Sequence, residues 1–389
     1  MIAPHGGTLV DRIVTGAERD ALIAAAKSLL AIVLNARETA DLEMIAVGAM
    51  SPLEGFMTKA EYAGVVEDMR LPSGLVFPLP IVLSTKAGDD PAAFQPGTDV
   101  ALKTEDGALL GVLHMTDKWE IDKAREAVQT LRTDDEAHPG VQYLASIGSH
   151  YLGGRISVTE LPKHGKFHSA RMTPAQTRAL FAERGWKSVS AFQTRNPIHR
   201  AHEYLTKCAL EQTDGILIHP LMGETKSDDV PADVRWACYE TLIDKYYAKD
   251  RVALGVYPQA MRYGGPREAV LHAVCRQNYG CTHIIIGRDH AGVGSYYGTF
   301  DAQQIFDELG EGAPAIATLR FEHSFFCKIT KQMASVKTSP AGKDDKIFLS
   351  GTKVREMLEN GERPPAEFTR PEVADILIAA YASKTATTA

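Results

Sequence analysis

The chain has no excess of positive charge. Over 389 residues its formal net charge is −7, which argues against general nucleic-acid binding, since that needs a basic face. Any anionic substrate must therefore be held by a local positive site. Cysteine is sparse and unpaired: Cys208, Cys238, Cys275, Cys281 and Cys327 form no CxxC spacing, and their count is odd. Reduced, mostly buried thiols in a cytoplasmic protein are expected. The opening stretch MIAPHGGTLVDR has no apolar h-region, so no secretory signal is expected. The longest apolar run, Ala21–Leu34, is broken by Lys27 and is too short to span a bilayer, so no membrane partner is expected. A Walker A loop is missing too. The Gly342-Lys343 pair is followed by Asp344 and lacks the upstream glycine, which speaks against a P-loop kinase. There is no internal repeat and no low-complexity segment.

What is present is an ordinary globular composition, 44% hydrophobic and 23% charged, with length for two or three domains. Residues 1–170 carry short β-rich runs (LVFPLPIVLS, TDVALKT, ALLGVLHM) between Gly, Pro and Asp turns. They predict a small mixed or barrel-like β domain. Two helical patterns interrupt it, near Ala17–Leu30 and Thr58–Met69. From Lys187 strand and helix alternate. The strands are expected at Ser188–Gln193, Gly215–His219, Val252–Tyr257, His283–Ile286 and Ala315–Leu319. The helices are expected at Pro197–Gln212, Pro231–Lys249, Pro266–Tyr279 and Ala302–Leu309. Such alternation implies βαβ units and a parallel sheet, with ligands outside the carboxyl ends of its strands. After about Phe326 the chain turns polar, and a small α/β unit with a last helix from Pro371 closes it. The domain reading is 1–170, 171–326 and 327–389.

The most informative stretch is Ser190–Gln212, SAFQTRNPIHRAHEYLTKCALEQ. A strand closes at Phe192, and Gln193, Thr194 and Arg195 form a turn. Asn196 is a favoured N-cap and Pro197 a favoured first helical residue. His199 and His202, three apart, share one helix face. An arginine and two histidines at a helix start predict a site for phosphate or a similar oxyanion. An HxxH pair alone is more often a surface or structural feature; its company makes the functional reading stronger here.

Directly after the HIIIG strand comes Gly287-Arg288-Asp289-His290-Ala291-Gly292. Glycines admit close backbone approach and Arg288 offers a planar donor fork. In Met261-Arg262-Tyr263-Gly264-Gly265-Pro266-Arg267, Arg262 and Arg267 could face a cleft, though solvent exposure is the commoner fate of arginine. Gly223-Glu224-Thr225-Lys226-Ser227-Asp228-Asp229 reads as a solvated loop. Ser350-Gly351-Thr352-Lys353 reads as a capped helix start, with phosphate binding no more favoured than a structural cap.

QTRNPIHRAHE followed by GRDHAGVG resembles the ATP sulfurylase (sulfate adenylyltransferase) family. PHGGTLVDR, HPLMGETKSDD, MRYGGPREAVLHA, LSGTKVREMLENGERPP and FTRPEV also resemble its motifs, in family order over nearly the whole chain. The resemblance implies an α/β protein with an N-terminal PUA-like β-rich domain, a central Rossmann-like nucleotidyltransferase domain and a small C-terminal domain. It implies the reaction ATP + sulfate ⇌ adenylyl sulfate + diphosphate with Mg2+, in a cytoplasmic homo-oligomer, a dimer being favoured. By the resemblance, Thr194, Arg195, Asn196, His199 and His202 are catalytic. Gln193 and Arg195 hold sulfate with the backbone of Ala291. The nucleotide lies on Gln193, Asn196, Gly287, Arg288, Asp289, His290 and Ser324, with Phe321 a conformational position. The chemistry suits these residues. Sulfate is already ionised, so the enzyme must hold two anions in line and spread charge, without a general base.

One departure concerns metal. Some relatives carry a zinc site of the form CxxC…KTCPH. Here the stretches are Cys327-Lys328-Ile329-Thr330 and Lys337-Thr338-Ser339-Pro340-Ala341, which leave only Cys327. One thiol cannot make a four-coordinate site, so no zinc is expected. Two other readings stay open on residues alone. One is a different HxxH nucleotidyltransferase acting on a phosphorylated acceptor. The other is a PUA-like RNA binder with a silent catalytic half.

Overall fold

In the computed structural model, described for residues 1–222, 230–348 and 351–388, three sheets follow one another along the chain. The first contains β1 (Leu30–Val33), β2 (Gly55–Phe56), β3 (Leu83–Ser84), β4 (Asp99–Lys103), β5 (Leu109–Glu120) and β6 (His150–Val158). Its order is β1-β4-β5-β6-β2, with β3 also on β6. Only β1–β4 is parallel, so the mixed β domain expected from the turns is present. The run LVFPLPIVLS contributes only β3, because Pro78 and Pro80 have no N–H for a ladder.

Five helices decorate this sheet: α1 (Gly16–Ala26), α2 (Ala36–Ala46), α3 (Lys59–Asp68), α4 (Lys123–Leu131) and α5 (Pro139–Ser146). α1 and α3 lie where the pattern put them. α2 was not anticipated, although Asn35 and Glu38 form a capping box at its start. The apolar residues of α2 and its neighbours are buried on every side, which erases the amphipathic period that sequence reading looks for.

The second sheet is wholly parallel: β7 (Val189–Phe192), β8 (Gly215–Ile218), β9 (Val252–Leu254), β10 (His283–Ile286) and β11 (Ala317–Arg320). The order is β11-β10-β7-β8-β9. The strand order reverses between β7 and β10, the crevice where parallel α/β sheets bind ligands. Helices α6 (Pro174–Glu183), α7 (Arg200–Leu210), α8 (Ala232–Tyr246), α9 (Gly265–Asn278) and α10 (Asp301–Glu308) cover it. α9 is buried along almost its full length, because it lies between this sheet and the first. Leu271, Val274 and Cys275 of α9 share one apolar core with Leu42, Met44 and Phe77.

The third sheet is small and antiparallel, β13-β12-β14, from β12 (Phe325–Cys327), β13 (Gln332–Ala334) and β14 (Lys346–Ile347). Two helices follow, α11 (Gly351–Glu359) and α12 (Pro371–Thr388). This unit docks on α7. Arg370 reaches Glu203 through both nitrogens, at 2.8 and 2.7 Å, and Val354, Leu358, Val373 and Leu377 join the core under β8 and α8.

Arg262 is buried and Arg267 half-buried, and neither lines the cleft. Arg262 Nη2 meets both carboxylate oxygens of Asp41 on α2, each at 2.6 Å, with side chains 6% and 3% exposed. Arg267 donates to the carbonyls of Val65, Pro78 and Val66. Both are bolts between the first two units. The 223–229 loop and Ser350 lie outside the described residues.

Candidate active site

β7 and β10 are adjacent, Ser190 opposite His283 and Ala191 opposite Ile284, so the residues after each strand emerge side by side. They open into a cleft of about 760 Å3 roofed by the C-terminal unit. Its wall includes Gln193, Thr194, Arg195, Asn196, His199 and His202 from the β7 side, Gly287, Arg288, Asp289, His290 and Ala291 from the β10 side, and Ser324. Every residue expected at the site is therefore gathered here except Phe321. That ring packs instead against the core under β8 and α8, and its backbone is held by Ile286 and Gln303.

The start of α7 differs from the sequence expectation. The helix begins at Arg200 with His199 at the cap, not at Pro197 with Asn196 as cap. Three contacts explain the delay. Thr194 Oγ1 accepts from the Asn196 N–H at 3.0 Å. The Asn196 carbonyl accepts from Tyr239 Oη at 2.8 Å. The Arg200 N–H, which would have to bond Asn196 in a longer helix, donates to the Phe368 carbonyl at 2.8 Å. Residues 195–199 are thus held as an open arm, which places Arg195, Asn196, Pro197 and His199 along the cleft wall and Ile198 in the core.

Arg235, on α8, braces this arm from below. It is 1% exposed and donates through Nη1 to the carbonyls of Arg195 at 3.0 Å and Leu221 at 2.8 Å. Above it, Arg195 Nη1 donates to Tyr263 Oη at 3.3 Å, and its guanidinium carbon lies 5.5 Å from the Tyr263 ring centroid. Arg235, Tyr239 and Tyr263 were not singled out from sequence. Arg235 and Tyr239 sit within an ordinary helical pattern, and Tyr263 was overshadowed by its two arginine neighbours. Tyr263, at φ +58°, stands with Asp289 (φ +53°) and Ala291 (φ +55°) in the left-handed region that side-chain-bearing residues avoid. Three such residues at one cleft mark backbone strain held for a purpose.

Both histidines of the HxxH pair are neutral. Burial, and then the neighbouring His202, push the His199 pKa down to about 3. Burial also lowers His202, against a hydrogen bond to the Pro197 carbonyl that raises it. His199 lies against the Phe368 ring, with centroids 4.5 Å apart, and His202 lies 5.8 Å from Phe192. Among the described residues their Nδ1 atoms have no hydrogen-bond partner, and neither do Gln193 Oε1 and Ser324 Oγ, although all four atoms are buried. Buried polar atoms without partners are costly and uncommon. Four of the eleven such atoms among the described residues belong to residues that line this one cleft.

Cys327 is the surviving thiol of the zinc motif. Its Sγ accepts from Ser339 Oγ at 3.1 Å and from the Thr330 N–H at 3.4 Å. Those bonds, led by Ser339, pull its pKa down to about 7. Hydrogen bonds thus close the β12–β13 corner, and the described residues contain no group of three or more potential metal ligands.

Residues 168–380 match the ATP-sulfurylase family model and residues 2–161 that of a PUA-like domain. The sulfate adenylyltransferase of Synechocystis sp. is 54% identical over 379 residues, 97% of either chain. That of Acaryochloris marina is 53% identical over 379 residues, again 97% of either chain. A Sorangium cellulosum protein named probable bifunctional SAT/APS kinase 2 is 54% identical over 97% of this chain and 65% of its own length. Among solved structures, one titled hexameric APS kinase from Thiobacillus denitrificans superposes with a TM-score of 0.78. It is 28% identical, over 97% of this chain and 68% of that one.

Proposed function

The chain belongs to the ATP-sulfurylase family and is a sulfate adenylyltransferase, catalysing ATP + sulfate ⇌ adenylyl sulfate + diphosphate, and from that premise we propose how its cleft performs the reaction. Arg195 holds sulfate through its donor fork, helped by Gln193 and the Ala291 backbone. The ATP phosphates lie along His199 and His202, and the rest of the nucleotide, its α-phosphate included, along Gly287–His290 and Ser324. A sulfate oxygen attacks the α-phosphorus in line. One S–O–P link forms, the α–β phosphoanhydride bond breaks, and its electron pair leaves with diphosphate. Two reactants, both anionic, make positioning and charge stabilisation the main tasks. No proton has to be removed from sulfate.

The observation that carries this reading is the set of partnerless atoms on Gln193, His199, His202 and Ser324. They lie on both sides of the arm that bears Arg195; the imidazoles and the Ser324 hydroxyl can donate to an anion, whereas Gln193 must meet sulfate through its NH2. The neutral histidines fit as N–H donors to phosphate oxygens, because a neutral imidazole still carries one proton to donate. Mg2+ arrives on ATP as part of the substrate, held mainly by phosphate oxygens and water; Asp289, Glu322 and Glu367 also line the cleft.

The same proposal takes the chain as a cytoplasmic homodimer of three units, near residues 1–170, 171–326 and 327–389. Four of its five free thiols are buried, which suits a reducing compartment. Among the described residues no helix is long and apolar enough to cross a membrane. Sedimentation at two concentrations tests the dimer. The catalytic reading is tested by diphosphate release from MgATP with and without sulfate. Release that depends on sulfate, with adenylyl sulfate as coproduct, is expected; release that ignores sulfate refutes it.

A further inference from the structure

Beneath the β10 side of the cleft lies a second chain of polar groups. It starts at Glu268 on α9, which is fully buried. Its carboxylate accepts from the Arg262 N–H at 2.9 Å, the Gly264 N–H at 3.0 Å and the Gln259 amide nitrogen at 3.0 Å. Three N–H donors converge on it, which favours the ionised form against the cost of burial. An ionised carboxylate only accepts, so the Gln259 group facing it must be the NH2. The other end of that amide, Oε1, accepts from the Tyr257 hydroxyl.

The Gln259 NH2 has a second proton. His272 Nε2 lies 3.2 Å from the same nitrogen, while its distance to Glu268 Oε1 is 3.6 Å, beyond hydrogen-bond length. His272 Nε2 is therefore the bare, accepting nitrogen. His272 is buried and burial lowers its pKa, so the ring is neutral and its one proton sits on Nδ1. Nδ1 faces His290 Nε2 at 3.0 Å. His290 Nε2 must then accept. His290 is neutral too, since burial, with His272 and Arg276 nearby, pushes its pKa down to about 3. Its single proton is left on Nδ1, the opposite edge of a ring that lines the cleft.

We propose that Glu268, Gln259 and His272 form a buried relay of hydrogen bonds that holds His290 in its Nδ1–H tautomer, so that a neutral imidazole presents an N–H donor to an anionic oxygen of ATP. The three are positioning residues and touch no substrate. The proposal rests on the reading that Gly287–His290 forms the nucleotide side. Its physical sense is economy of charge. Without a fixed tautomer a neutral histidine offers a lone pair as readily as a proton, and a lone pair facing phosphate is repulsive. Glu268 also anchors the Arg262–Gly264 backbone, which bears Tyr263, the partner of Arg195. One carboxylate thus orders groups on both sides of the cleft.

The decisive experiment is nitrogen NMR of the intact protein carrying 15N-histidine, with the His290 signals assigned by loss in His290→Asn. A protonated Nδ1 and a bare Nε2 are expected in the unliganded protein; the reverse overturns the relay, whatever ATP does. If Nδ1 is protonated but the His290 signals ignore added MgATP, the relay stands and its assigned ligand is overturned. A pair of variants reads the consequence. His272→Asn can keep a donor amide at the position of Nδ1, and His272→Asp leaves only an acceptor there, which forces the proton of His290 onto Nε2. KM for ATP is expected to rise about tenfold or more in His272→Asp and less than about threefold in His272→Asn, as for loss or retention of one hydrogen bond to a charged group. Equal effects in two folded variants overturn the proposal. Should His272→Asp fail to fold, the tautomer measured in the unmodified protein decides alone.

Discussion

Arg195→Ala separates catalysis from folding, and the structure sets the size of both effects. Among the described residues the side chain makes one hydrogen bond, 3.3 Å to Tyr263 Oη, and it lies 5.5 Å from that ring's centroid. It is half-buried at the cleft, so water can replace it. Its carbonyl keeps the bond from Arg235, because that contact is to the backbone. The fold then loses about 0.5–1.5 kcal/mol for the hydrogen bond and about 0.5–1 kcal/mol for the ring contact, at most. Catalysis loses more. Two charge-assisted bonds to sulfate, at about 1.5–3 kcal/mol each, amount to about 3–6 kcal/mol. At about 1.36 kcal/mol per decade, kcat/KM for sulfate falls by about 10^2 to 10^4. The assay is diphosphate release at saturating MgATP over a range of sulfate, beside urea unfolding of the same sample. Arg195→Lys is expected between the two, since a point charge replaces the fork. The reasoning fails if kcat/KM drops less than tenfold, or if the variant's unfolding midpoint collapses and accounts for the loss.

Three further outcomes follow from the same geometry. Asp41→Asn strips the partner from a buried guanidinium, 6% exposed, and is expected to destabilise the protein by about 3–5 kcal/mol in urea unfolding; replacing Asp41 and Arg262 together by apolar residues should recover most of it. The pH response concerns His199, whose folded pKa of about 3 lies below the ordinary 6.5. Above 6.5 both folded and unfolded forms are neutral and the group contributes nothing. Below it only the unfolded chain takes the proton, so stability falls as pH drops from 6.5 toward 3, by at most about 1.4 kcal/mol per unit and less where cleft water reaches the ring. His199→Asn should flatten that slope in thermal unfolding. By the same sign, kcat/KM should not fall as pH rises through 6.5, because no histidinium is being lost. Finally, chelation with EDTA should stop turnover and added Mg2+ restore it, while metal analysis of the dialysed protein finds no stoichiometric zinc.

Much of the site was legible in the chain itself. The motifs after β7 and β10 carry residue types whose chemistry is anion binding, and their spacing between strands places them at strand ends. Strand-helix alternation is a local signal, so the parallel sheet and its ligand edge follow from it. The family resemblance rests on several motifs in order, and it too is a property of sequence. The glutamine, arginine and histidines expected at the cleft are there for those reasons.

Other features depend on partners far away in the chain. The α7 start moved three residues, from Pro197 to Arg200, because the Phe368 carbonyl claims the Arg200 N–H across 168 positions of separation. No local propensity can report that bond. Arg262 and Arg267 went to buried partners on the first unit, Asp41 lying 221 residues away. Tyr263, Tyr239 and Arg235 became parts of the site only when folding brought them beneath the 195–199 arm. The charge states followed as well, since the two histidines are neutral through burial, which composition does not encode. Sequence alone determined which chemical groups the protein carries to its sheet edge. Tertiary structure decided which of them are left without partners, because hydrogen bonding and desolvation act between residues that meet only in space.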